Sequence, residues 1–153
     1  MGEPQQKRTE IRVENIMTSE VFAIPLSMTV REAIKLLISN RISGAPVVDS
    51  MNHVVSVMTE GDGLKLAAVY GLDKQIAVCA DRLPKQNKLI TAKITDSFTD
   101  VYKTFLSYPV HRVVVVDDNG NLKGIVSRSN VLRVLVESDA PVTAAPTKEQ
   151  KTS

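Results

Sequence analysis

The sequence predicts an α/β protein made of two β-α-β-β-α half-units, and three observations predict it. The first is an internal repeat. Shifted by 68 positions, residues 22–64 lie on residues 90–132 without a gap, so Val47-Val48-Asp49 falls on Val115-Val116-Asp117 and Thr59-Glu60-Gly61-Asp62 on Ser127-Arg128-Ser129-Asn130. Few identities survive the shift, but the apolar, turn and capping positions do, and a repeat sets the architecture before any finer signal. The second is a pair of capped helix starts followed by apolar residues at helical spacing. The third is a pair of β-branched runs joined by a turn, present in both copies.

Taken in order, each copy opens on a short apolar strand, residues 21–24 in one and 89–92 in the other. A helix then begins at a cap. Thr29-Val30-Arg31-Glu32 reads as a capping box, with Thr29 at N-cap and Glu32 reaching back, and Ser97-Phe98-Thr99-Asp100 repeats it in a weaker form. Val30, Ala33, Ile34, Leu37 and Ile38 share one face of the first helix; Phe98, Val101, Tyr102, Phe105 and Leu106 share the same face of the second. Two strands follow. Residues 45–48 and 54–58 flank one turn, and residues 113–116 and 122–126 flank another whose Asn119-Gly120 is a strong hairpin signal. A last helix starts near Thr59 or Ser127 and carries Leu64, Leu66 and Ala67, or Leu132, Leu135 and Val136. Strand, helix, strand, strand, helix demands a three-stranded mixed sheet with helices on one face. The two halves are expected to pack about a pseudo-twofold axis, with a ligand-sized cleft between them.

The expected organisation is a disordered lead at 1–12, one repeat at 13–70, a linker at 71–82 with a helical piece around Ile76, Ala77 and Ala80, a second repeat at 83–137, and a disordered tail at 138–153. A chain of 153 residues, 43% hydrophobic and 24% charged, is long enough to bury a core as one domain or two closely packed halves. A net charge of +2 argues against a dedicated nucleic-acid binder, and the absence of Trp leaves few platforms for stacking bases. Cys79, the only cysteine, excludes an internal disulfide and fits a reducing cytoplasm. The sequence has no apolar run long enough for a membrane span, and its polar start lacks the core of a signal peptide.

The chemistry-bearing residues are few. There is no nucleophile-base-orienter set, no Gly-rich phosphate loop and no spaced metal ligands, so we expect no enzyme, no metal and no obligatory cofactor. Thr59 reads as a helix N-cap and Asp62 as a first-turn acid that at minimum favours the helix dipole. His111 and Arg112 are adjacent on a strand, where neighbours face opposite ways. Both reach one anion only if the strand begins at a bend, which Pro109 supplies. His53 reads as a solvated turn residue, Cys79 as a small apolar core residue, Met17, Met28, Met51 and Met58 as packing, and Lys7-Arg8 with Arg12 as a solubilising run.

Three segments carry a resemblance to a known family. They are Val13-Glu14-Asn15-Ile16-Met17-Thr18, Ile42-Ser43-Gly44-Ala45-Pro46-Val47-Val48-Asp49 and Val57-Met58-Thr59-Glu60-Gly61-Asp62. The second copy supplies Val110-His111-Arg112-Val113-Val114-Val115-Val116-Asp117 and Gly124-Ile125-Val126-Ser127-Arg128-Ser129-Asn130. Together they resemble a tandem pair of CBS (cystathionine beta-synthase) domains, a Bateman module. The second repeat is similar to the gamma subunit of AMP-activated protein kinase. The resemblance implies a regulatory module, not an enzyme, that binds an adenosine-containing ligand of the AMP, ADP or ATP class between the repeats and signals to a partner. It also implies a homodimer. S-adenosylmethionine is the alternative ligand, and dimerisation without a physiological nucleotide is the alternative function.

Carried over residue by residue, the resemblance implies one composite site. Thr59 and Asp62 come from the first repeat, the carboxylate accepting from two ribose hydroxyls. His111 and Arg112 come from the second and hold phosphate, while Leu89, Ile90 and Thr91 line the base. The pseudo-symmetric second site uses Ser43, Gly44 and Ala45 with Ser127 and Asn130. It is expected to be weak or empty, because Asn130 replaces the acid and Ser43-Gly44 brings no cation. Ser56, where the family often has Gly, is expected to restrict backbone approach near the helix start.

Overall fold

The computed structural model describes residues 11–138; the remainder of the expected lead and tail lies outside the described residues. The described chain divides into two compact units. One takes the residues up to Ser19, Thr91–Val115 and the residues from Lys123 onward; the other takes Glu20–Ile90 and Val116–Leu122.

The second of these units holds a three-stranded sheet of order β1-β2-β3, with β1 at Ile24–Pro25, β2 at Gly44–Val48 and β3 at Val54–Thr59. β1 runs parallel to β2 through Ile24 opposite Val47, and β2 runs antiparallel to β3 through Gly44 opposite Thr59. The parallel pair requires a crossover, and α1 (Val30–Asn40) supplies it. The expected capping box is present: the Glu32 N–H donates to Thr29 Oγ1 at 3.1 Å, and the Thr29 N–H donates to Glu32 Oε1 at 2.9 Å. Val30, Ala33 and Leu37 are buried against Ile24, Val47 and Met58, while Ile38 is exposed. After β3 comes α2 (Glu60–Tyr70), then the short α3 (Ile76–Cys79) where the linker was expected to be helical. Cys79 is buried in this core as expected. Burial pushes its thiol pKa up, and its Sγ donates to the Gln75 carbonyl.

The other unit holds, apart from Val116 and Leu122, a sheet of order β4-β5-β6, with β4 at Thr91–Lys93, β5 at Arg112–Val116 and β6 at Leu122–Ser127. α4 (Phe98–Ser107) starts at a complete capping box, Ser97 with Asp100, so the shorter carboxylate performs the same closure as Glu32. α5 (Arg128–Ser138) ends the described chain. Phe98, Val101, Val113, Val115, Val126 and Val131 form the core, and the Phe98 ring stacks on Tyr102.

Two strands are shorter than the apolar runs predict. β1 begins at Ile24 rather than at residue 21: only Ile24 and Pro25 pair with β2, opposite Val47 and Val48, and Phe22 is exposed. β4 likewise begins at Thr91, not at residue 89. At the amino end, Ile11 and Arg12 were expected in a disordered lead, yet both are tied down. The Phe98 N–H donates to the Ile11 carbonyl, and Arg12 bridges Ser97 and donates to the Thr95 carbonyl. The next residues follow them: Val13 is buried in the core with Phe98, and Thr18 pairs with Ile125.

The two hairpin turns repeat down to single hydrogen bonds. Asp49 Oδ1 accepts from the Met51 and His53 N–H groups, and Asp117 Oδ1 from those of Asn119 and Asn121. Asn52 (φ 67°) and Gly120 (φ 84°) both take the left-handed conformation such turns require, 68 residues apart. His53 is not simply solvated. Its ring lies half-buried, with Nδ1 3.4 Å from Asp49 Oδ2. The His53 N–H and the adjacent imidazole hold the Asp49 carboxyl below its ordinary range, so its contribution to stability exists above the unfolded-state pKa and is lost as pH falls through the folded one.

Candidate functional site

The residues singled out by the repeat lie at the amino ends of β2 and β5, at the carboxyl ends of β3 and β6, and at the helix starts that follow. At the start of α2, Thr59 and Asp62 make a closed ring of three bonds. The Thr59 N–H donates to Asp62 Oδ2 at 2.8 Å, the Thr59 hydroxyl donates to the same Oδ2 at 3.0 Å, and the Asp62 N–H donates to Thr59 Oγ1 at 3.2 Å. All the carboxylate bonds fall on Oδ2. Oδ1 therefore keeps its acceptor capacity, in a first helical turn whose N–H groups have no intrahelical acceptor. The Glu60 N–H is taken by the Ser43 carbonyl at 2.9 Å, which draws Ser43 to the helix start. Gly44 is buried, and a side chain there would meet the Met58 carbonyl at 3.1 Å. Gly61 is different: an added Cβ would have only Thr59 Oγ1 near it, at 3.7 Å, so its surroundings are open.

The start of α5 is the same ring with one chemical change. The Ser127 N–H donates to Asn130 Oδ1 at 2.8 Å, the Ser127 hydroxyl donates to it at 3.1 Å, and the Asn130 N–H donates to Ser127 Oγ at 3.2 Å. Here the single side-chain oxygen is consumed by the cap. What remains is the amide Nδ2, which only donates. In the same unit the Arg128 N–H donates to the His111 carbonyl at 3.3 Å, repeating the Glu60–Ser43 bond, and Arg128 Nε reaches the Val110 carbonyl. His111 is exposed at a bend just before β5, and Arg112, the first residue of β5, is half-buried. The bend expected from Pro109 is therefore present. It follows Tyr108, the extended cap residue of α4.

Thr59, Asp62, Ser43, Gly44 and Ala45 belong to one unit together with Leu89 and Ile90; His111, Arg112, Ser127, Asn130 and Thr91 belong to the other. Leu89 and Ile90 are half-buried and Thr91 is exposed. The sequence reading missed the Ser43 carbonyl, because a backbone acceptor leaves no side-chain signal. It also expected Ser56 to restrict backbone approach near the helix start. Ser56 is instead buried at 3% exposure, and its hydroxyl donates to the Pro84 carbonyl at 2.7 Å. Separately, a largely apolar groove of about 420 Å³ lies along α1 and α2, lined by Ile34, Leu37, Ile38, Gly63, Leu64 and Ala67 together with Glu60. Among the described residues no cluster of His, Cys, Asp and Glu has the makings of a metal site, and no helix is long and apolar enough to cross a membrane.

Comparison with known proteins shows the family and the fold. An uncharacterized protein of Methanocaldococcus jannaschii is 31% identical over 125 residues, 82% of this chain, and this chain spans 40% of its length. The gamma subunit of 5'-AMP-activated protein kinase from Kluyveromyces lactis is 26% identical over 140 residues, 88% of this chain and 42% of the subunit. Among solved structures, CBSX2 in complex with AMP superposes with a TM-score of 0.71 at 24% identity, covering 85% of this chain and 99% of that one. The CBS domain pair of protein MJ0100, in complex with 5-methylthioadenosine and S-adenosyl-L-methionine, gives a TM-score of 0.66 at 24% identity, covering 82% and 96%. The family model for the CBS domain matches twice, over residues 13–68 and 83–137. The chain thus belongs to the CBS domain family, as a tandem pair of CBS domains.

Proposed function

We propose that this chain is a regulatory module that binds an adenosine nucleotide of the AMP class and signals to an effector protein through a change in the arrangement of its two repeats. Asp62 carries the reading. Its Oδ2 is spent on the α2 cap and its Oδ1 is not, so a rigidly held carboxylate oxygen stands ready for ribose hydroxyls. His111 and Arg112 are assigned to the phosphate, Arg112 offering the planar fork that matches it. Leu89, Ile90 and Thr91 are assigned to the base. The second set, Ser43, Gly44 and Ala45 with Ser127 and Asn130, is assigned weak or no occupancy, because Asn130 has no spare acceptor. CBSX2, a neighbour in fold, was crystallised with AMP, and this supports the ligand class. S-adenosylmethionine is the competing ligand, because the MJ0100 pair holds it.

We also assign a homodimer. Ile38 and Leu106 are 70% and 43% exposed, and Leu64 and Leu132 are 76% and 59% exposed. Each pair occupies one repeat position, 68 residues apart, on helix faces that a lone chain has no reason to leave apolar twice. A second copy of a duplicated chain is the partner that meets a duplicated face symmetrically.

The test is titration calorimetry with AMP, ATP and S-adenosylmethionine on the wild type, Asp62→Asn and Arg112→Ala. Asp62→Asn keeps an oxygen for the cap and removes the spare acceptor, so its effect reports on the ligand rather than on the helix. The expected result is AMP-class binding weakened about tenfold or more by either substitution, the scale of a charge-assisted hydrogen bond. Absence of heat with all three ligands at millimolar concentration, or full affinity in both variants, overturns the reading.

A further inference from the structure

Ser56 and Gly124 occupy the same position in the two repeats, on β3 and β6, yet they meet their neighbours in opposite ways. At Gly124 there is no room for a side chain: an added Cβ would lie 2.6 Å from Met17 Sδ and 2.7 Å from the Thr18 carbonyl oxygen. The chain segment that crosses β6 sits directly on the strand and pairs with it by backbone alone. The Thr18 N–H donates to the Ile125 carbonyl and the Ile125 N–H to the Thr18 carbonyl, both at 2.9 Å. At Ser56 the residue that meets the strand is Pro84, which has no N–H to give. Among the described residues no backbone pair joins this segment to β3. Two side-chain donors stand in for it: the Ser56 hydroxyl to the Pro84 carbonyl at 2.7 Å, and Gln86 Nε2 to the Val54 carbonyl at 2.9 Å.

This anchored segment leads straight into Leu89 and Ile90, three and four residues beyond Gln86. The turn at Gln86–Lys88 closes on itself, the Leu89 N–H donating to the Gln86 carbonyl at 3.2 Å, so the place of Leu89 follows that of Gln86. Both lie in the same unit as Ser56. Resting on the assignment of Leu89 and Ile90 to the adenine base, we propose that Ser56 and Gln86 are positioning residues. They clamp the segment from Pro84 to Gln86, at the start of the second repeat, to β3 and set the place of the base-lining wall without touching the ligand. Because the clamp is made of two side chains rather than a strand pair, its loss changes recognition of the base alone.

The experiment measures two affinities, for AMP directly and for ribose 5-phosphate by displacement of AMP, in the wild type, Ser56→Ala and Gln86→Ala. It also follows amide hydrogen exchange over residues 85–90 and over α2. Gln86 is exposed, so its variant folds even if the buried Ser56→Ala does not. The expected outcome is AMP affinity lowered about tenfold, the scale of one lost hydrogen bond. Ribose 5-phosphate affinity stays unchanged, and exchange rises at 85–90 but not in α2. Equal losses for both ligands, or unchanged AMP affinity in Gln86→Ala, overturn the proposal. Failure of the wild type to bind AMP strikes the function reading itself, whereas wild-type binding with unaffected variants strikes only the clamp.

Discussion

Asp62 and Asn130 stand 68 residues apart at the same position of the same cap, and they differ only in what the cap leaves over. Asp62 retains an acceptor oxygen; Asn130 retains a donor nitrogen. The difference has an energetic side. α5 has no acidic residue in its first turn, and Arg128 opens it with the charge its dipole disfavours. Asn130→Asp is therefore expected to preserve the ring with Ser127 and stabilise the protein by about 0.5 kcal/mol, within the usual range for an acid at a helix start. Thermal unfolding at neutral pH should show a Tm gain of about 1–2 °C for a chain of this size. The gain should vanish below about pH 3, where the carboxyl is protonated. At this scale the sequence was readable where the chemistry resides in side chains. Thr59 and Asp62 were read as cap and first-turn acid from the residues, and Ser127 and Asn130 as their counterparts through the repeat and the family resemblance; the choice of which oxygen faces the cap followed only from the coordinates. His53 was misjudged because its partner, Asp49, acts through turn geometry that spacing alone does not reveal.

At the scale of elements, the β-branched runs located β2, β3, β5 and β6 within a residue or two, since strands with partners on both sides or with a hairpin mate extend as far as their apolar pattern. β1 and β4 were over-read: β1 pairs with β2 only through Ile24 and Pro25, and an apolar run does not show how much of it a neighbouring strand engages. The crossing segments were the least legible. Nothing in Met17-Thr18 announces that it lies against Gly124, because a contact distant in sequence leaves no periodicity. That contact makes a sharp prediction. Gly124→Ala forces its Cβ into the Thr18 backbone and the Met17 sulfur, and should cost about 1–3 kcal/mol by overpacking. Gly61→Ala, with open space around it, should instead stabilise α2 by up to about 1 kcal/mol. Urea unfolding of the two variants should move their midpoints in opposite directions.

For the molecule as a whole, duplicated exposure is the feature to test. Leu64→Lys combined with Leu132→Lys removes apolar surface at one repeat position in both copies. It should convert the expected dimer to monomer in sedimentation velocity while leaving the circular dichroism spectrum unchanged. These residues are solvent-facing within the chain, so the charges are not buried by folding. A wild-type chain that sediments as a monomer, or a double variant that remains a dimer, would remove the dimer from the proposal.

By itself the sequence determined the duplication, the fold class, the helix caps and the family, because each is written in local spacing or in the order of local motifs. The tertiary structure alone decided which chain segments lie beside which strands. It drew Ile11 and Arg12 onto Ser97 and Phe98, set Thr18 against Ile125, and turned Ser56 from a departure in a motif into an anchor for Pro84. The reason is physical. Caps, turns and helix faces are settled by residues a few positions apart, whereas the packing of a crossing segment depends on atoms many tens of residues away whose approach only the folded chain specifies.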